Sequence, residues 1–84
     1  MSLPVRANLS TQEIDGELVI LDKENGQIHQ LNSVASYIWQ QIEAGLELNE
    51  ILERLVSTYD IESSKAQEDL DKVIQQFKDL KLLT

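Results

Sequence analysis

The chain has one imidazole, His29, and no cysteine. A nucleophile with its base, or a zinc ligand set, needs partners at fixed spacing, and neither a Cys–His pair nor a second histidine exists. His29 is therefore expected as a strand residue with a partly buried ring. Carboxylates are plentiful, but Glu68, Asp69, Asp71 and Asp79 fall on what should be the wet side of a helix. Acid–base pairs work from clefts that shift their pKa values. Asp22-Lys23-Glu24-Asn25-Gly26 has the outline of a calcium loop, yet the glycine comes one place too early and Ser33 stands where the bidentate glutamate belongs. Gly16, Gly26 and Gly45 are isolated, so no phosphate-cradling loop is present. The expectation is a protein that is not an enzyme, with no catalytic residue, metal or cofactor.

Elements that could position a binding site are easier to find, because the apolar period changes once along the chain. Leu18-Val19-Ile20-Leu21 is a short β-prone run introduced by the turn-forming pair Asp15-Gly16. Asn25-Gly26 separates it from a second segment, Gln27-Ile28-His29-Gln30-Leu31, and predicts a two-residue hairpin turn. A weaker strand is expected near Val5 to Leu9, with Met1-Ser2-Leu3 as a loose start. From Asn32 onward the period is helical. Val34, Ala35, Ile38, Trp39 and Ile42 form one face, with Asn32 as N-cap and Gly45 as stop. Ile51, Leu52, Leu55, Val56 and Tyr59 repeat the spacing in a second helix that starts at Glu47 or Asn49. Ser64 and Gln67 fit a capping box for a third helix, with Ala66, Leu70, Val73, Ile74, Phe77 and Leu80 on its apolar face. The fold class is α+β: a small antiparallel sheet of two to three strands, then three helices, in one domain spanning 1–84.

Composition narrows the partners. Eighty-four residues, 42% hydrophobic and 26% charged, make one small soluble domain. A formal charge of −8 with seven scattered Lys and Arg disfavours a phosphate backbone and an anionic membrane surface alike. No basic start followed by an apolar run marks a signal peptide, and a cytoplasmic location is expected. Two alternatives remain open at this level. A strand-and-three-helix domain can be a winged-helix DNA reader, its third helix being the recognition element. An acyl carrier would place a modified serine at a helix start, at Ser33 or Ser36, though Leu31-Asn32-Ser33 lacks the usual aspartate.

The order of motifs resembles the PqqD-like proteins, named for pyrroloquinoline quinone synthesis. The resemblance rests on Leu18–Leu21, Gly26, Ile28, Leu31-Asn32, Ala35, Ile38-Trp39, Gly45, Glu50-Ile51, Leu55, Tyr59-Asp60, Asp69-Leu70, Val73-Ile74, Phe77 and Leu82-Leu83. It covers about Ile14 to Leu83. Glu47 departs from it, standing where a Thr or Ser usually caps the second helix, and so does Lys81, where a glycine commonly precedes the closing leucines. The family implies a winged-helix-like fold that takes the leader of a ribosomally made precursor peptide as an extra strand. It also implies a partner enzyme, such as a radical-SAM enzyme or a leader peptidase.

With a two-residue turn, Ile20 would face Leu31 and Lys23 would face Ile28. Leu18, Ile20, His29 and Leu31 then share one sheet face, and Val19, Leu21, Ile28 and Gln30 the other. An unpaired Gln27–Leu31 strand offers backbone groups to a peptide. The expected peptide-binding residues are Gln27, Ile28, His29, Gln30 and Leu31, with Val73, Gln76 and Leu80 on the third helix. An apolar side chain of the leader is expected to lodge between Ile28 and that helix. A few net hydrogen bonds of about 1 kcal/mol and one or two apolar anchors of about 2 kcal/mol imply affinity of micromolar order after association costs.

Overall fold

The computed structural model describes residues 5–83. Three antiparallel strands, β1 (Leu9–Ile14), β2 (Glu17–Asp22) and β3 (Gln27–Gln30), lie side by side in that order. Three helices follow: α1 (Ser33–Glu43), α2 (Leu48–Tyr59) and α3 (Ser63–Asp79). This is the expected α+β architecture. The expected loose start at Met1-Ser2-Leu3 lies outside the described residues.

Strand β1 begins where the weak strand near Val5 to Leu9 was expected to end. Val5 itself makes only an isolated bridge to Leu83. The two-residue hairpin turn sits at Asp15-Gly16, not at Asn25-Gly26: Asp15 (φ 54°) and Gly16 (φ 83°) are both left-handed, and Ile14 pairs with Glu17 across them. Between β2 and β3 the connection is four residues long, since Asp22 pairs with Gln27. Ile20 therefore faces His29, and Leu21 faces Ile28, a slip of two from the expected register. A slip of two leaves every side chain on its expected face.

The longer turn is held by Asp22. Its carboxylate is buried and accepts from the Asn25 backbone N–H at 3.1 Å, the Asn25 side-chain amide at 2.9 Å, and the Arg6 guanidinium. The Asn25 side-chain amide does most to hold this carboxyl at about 2, against burial, which pushes it up; the Asn25 N–H and Arg6 add to the lowering. A carboxyl lowered in the folded state stabilises above its unfolded pKa and loses that contribution as pH falls through the folded one. Asp22→Asn should therefore unfold at a lower urea midpoint than the native chain at pH 7. The gap should close as pH drops from about 4 to about 2. A gap that stays constant with pH would show that the Asp22 charge does not clamp the turn.

All three helices contribute to one core on a single side of the sheet, where Leu18, Ile20 and Leu31 join Trp39, Leu55, Leu70 and Phe77. Trp39 is fully buried, as expected, and meets Phe77 edge-to-face at 5.1 Å. Asn32 caps α1 through its side chain, which accepts from Ala35 N–H at 2.9 Å. Helix α2 starts after Glu47, whose N–H donates to the Glu50 carboxylate at 3.0 Å, so the unusual residue there still serves as a cap. The capping box expected at Ser64 is absent. Helix α3 begins two residues earlier, after Glu62, and Ser64 lies in its first turn. Lys81 (φ 61°) ends α3 in the left-handed conformation glycine favours; its N–H and that of Leu82 return to the Lys78 and Phe77 carbonyls.

Ser36 joins the sheet to α1. Its buried hydroxyl accepts from Leu18 N–H at 2.8 Å and donates to the Leu31 carbonyl at 3.3 Å. A hydroxyl so enclosed cannot carry a prosthetic arm. Ser36→Ala would strand the Leu18 N–H without a partner, and a loss of about 1–3 kcal/mol is expected in urea unfolding. An unchanged midpoint would mean that Leu18 finds another acceptor.

Candidate functional site

Strand β3 is an edge, and its pairing decides which of its backbone groups are free. Leu31 N–H donates to the Leu18 carbonyl at 2.8 Å, one of the two bonds of a hydrogen-bonded pair, the Leu18 N–H going instead to Ser36. Such pairs alternate in an antiparallel ladder, so His29 and Gln27 also turn their backbone groups toward β2. The N–H and C=O groups of Ile28 and Gln30 point the other way, into the open edge.

Helix α3 does not close that edge. The groove beside α3 consists of two depressions, one toward each end of β3. At the end near α1, a depression of about 330 Å³ is lined by Asn32, Val34, Asp69, Lys72, Val73 and Gln76. At the turn end, a wider depression of about 510 Å³ is lined by Asn25, Gln27, Asp79, Leu80 and Lys81. Val73, Gln76 and Leu80 are spaced three and four apart along α3, so they form one stripe facing this groove. Val73 and Leu80 are half-buried, and Gln76 is exposed.

The expected site residues thus divide. Gln27 and Leu31 share the inner sheet face with His29, whose ring is half-buried as expected. Leu31 is fully packed into the core, so only its neighbourhood bounds the groove. Ile28 is different. It lies on the outer face, 70% exposed, beside Leu21 and Val19. Its side chain cannot form a wall opposite α3, because the helices pack on the other side of the sheet; what Ile28 offers the groove is backbone. No helix covers the outer apolar face. Asp69 was expected on the wet side of α3 but is half-buried at the groove, held by Lys65 at 3.0 Å. That hydrogen bond raises the Lys65 pKa. Sequence periodicity alone could not have marked Asp69, Lys72 or Asn32 as groove residues, since all three are polar.

Among the described residues no cluster of His, Cys, Asp and Glu could hold a metal ion, and no helix is long and apolar enough to cross a membrane. The model of coenzyme PQQ synthesis protein D matches residues 17–83. The chain belongs to the PqqD family. Two solved structures share the fold of this PqqD-like domain. One is TbiB1 in complex with the TbiA(beta) leader peptide, 25% identical, with a TM-score of 0.90, covering 96% of this chain and 94% of its own. The other is lasso peptide synthetase B1 complexed with the leader peptide, also 25% identical with a TM-score of 0.90, covering 100% of this chain and 99% of its own. No curated protein matches the chain.

Proposed function

We propose that this PqqD-like domain binds the leader segment of a ribosomally made precursor peptide and presents it to a modifying enzyme. The leader adds as a fourth strand along β3, pairing with the outward backbone groups of Ile28 and Gln30 over the span Gln27–Leu31. Its inward side chains, His29 beside them, pack against Val73, Gln76 and Leu80. The partner enzyme is a radical-SAM enzyme or a leader peptidase, and the domain itself contributes no catalytic group. The observation that carries this reading is the combination of an unpaired strand with an apolar-striped groove beside it, in a fold whose solved neighbours are complexes with leader peptides. A DNA-reading role has no support: α3 carries Glu68, Asp71 and Asp79 on its exposed side, in a chain of net charge −8.

Titration of the labelled domain with a synthetic copy of its precursor's leader tests the reading. The largest backbone amide shifts should fall on Ile28, Gln30 and the α3 stripe. Shifts confined to α2, with β3 unmoved, would exclude this edge as the site. Glu53→Ala on α2 should leave the affinity unchanged.

A further inference from the structure

His29 is the one inward-facing side chain at the middle of the open strand. It stands between Gln27, which is exposed, and Leu31, which is fully used by the core. Its Nε2 is shut away from water and has no hydrogen-bond partner. A buried ring nitrogen left unsatisfied is uncommon, because its hydration is lost without replacement. No other group among the described residues makes use of it. The position is also special in the ladder. Ile28 and Gln30 direct their backbone groups outward, so a strand added antiparallel would form hydrogen-bonded pairs with them. The residue opposite His29 would then sit in a non-hydrogen-bonded pair, where facing side chains approach most closely.

Resting on the leader-binding reading above, we propose that His29 reads a hydroxyl-bearing side chain, Thr, Ser or Tyr, at the leader position directly opposite it. A hydroxyl suits the site whichever tautomer the ring adopts. It donates to a bare Nε2 and accepts from a protonated one. A carboxylate is a poorer candidate beside a chain of net charge −8. An amide is disfavoured because Asn is a poor strand residue, whereas Thr and Tyr are good ones. The terminal torsion of histidine is broad, so the ring can turn its nitrogen to the incoming group without leaving its rotamer.

With a single histidine in the chain, a long-range nitrogen spectrum of the labelled protein shows one imidazole. On saturation with the synthetic leader, the Nε2 resonance should move together with the Ile28 and Gln30 amides. Replacing the leader's hydroxyl residues one at a time, Thr→Val, Ser→Ala or Tyr→Phe, should reveal one position that loses about tenfold in affinity. Against His29→Phe the same replacement should lose almost nothing, since the partner is already gone. Amides that shift while Nε2 stays still, or a hydroxyl scan that is flat, would overturn the role of His29 and leave strand addition standing. Amides and Nε2 that both stay still would overturn strand addition itself.

Discussion

Trp39→Ala should remove about 3–5 kcal/mol of stability, a large part of what an 84-residue domain has to lose. The residue is fully enclosed, stacked edge-to-face on Phe77 and in the same core as Ile20 of the sheet. Its deletion would open a cavity where sheet and helices meet, and rigid elements cannot collapse into such a space. One feature works against the loss. The Trp39 Nε1–H is buried without a partner, so the native indole already carries a cost that Trp39→Phe would remove. The phenylalanine variant should therefore be much closer to the native chain than the alanine variant. Urea unfolding followed by circular dichroism checks both, and native emission should be that of an indole in an apolar setting. Water-like emission from the folded protein would contradict this packing.

Gln30→Pro should abolish most leader binding, tenfold or more, while leaving the fold nearly intact. Val19 faces Gln30 in a non-hydrogen-bonded pair, so the Gln30 N–H points into the open edge and holds no bond to β2. Proline there removes a donor that only an added strand would use, and its ring obstructs the approach of that strand. The preceding residue, His29, is already extended, as proline requires. The Gln30 side chain gives up only a long 3.4 Å contact with Glu17. His29→Pro is the contrasting case: its N–H lies in the β2 ladder opposite Ile20, and its loss should destabilise the sheet itself. Fluorescence anisotropy of a labelled leader, paired with thermal unfolding of each variant, separates the two effects. If Gln30→Pro binds the leader normally, strand addition at β3 is wrong. If it melts like His29→Pro, the assignment of inward and outward groups is wrong.

Most of the helical part was legible because its signals are local. Asn32 caps α1 by reaching three residues ahead, and the faces of α1, α2 and α3 each repeat within a few turns. The sorting of β2 and β3 side chains by face was legible for the same reason, since alternation survives a register slip of two. Strand β1 escaped because four of its six residues are exposed, which leaves no alternation to find. The turn between β2 and β3 escaped because its length is set by Asp22 gripping both Asn25 and Arg6, and Arg6 is sixteen residues away along the chain. The site divides along the same line. That β3 carries alternating side chains with a lone histidine among them follows from sequence. Only the tertiary structure decided which face the helices would cover, and hence that His29 lies on the covered face opposite Ile20 while Ile28 faces solvent. Both faces offered apolar residues, and the choice was made by packing between elements far apart in the chain, above all the meeting of Ile20 and Leu31 with Trp39 and Phe77.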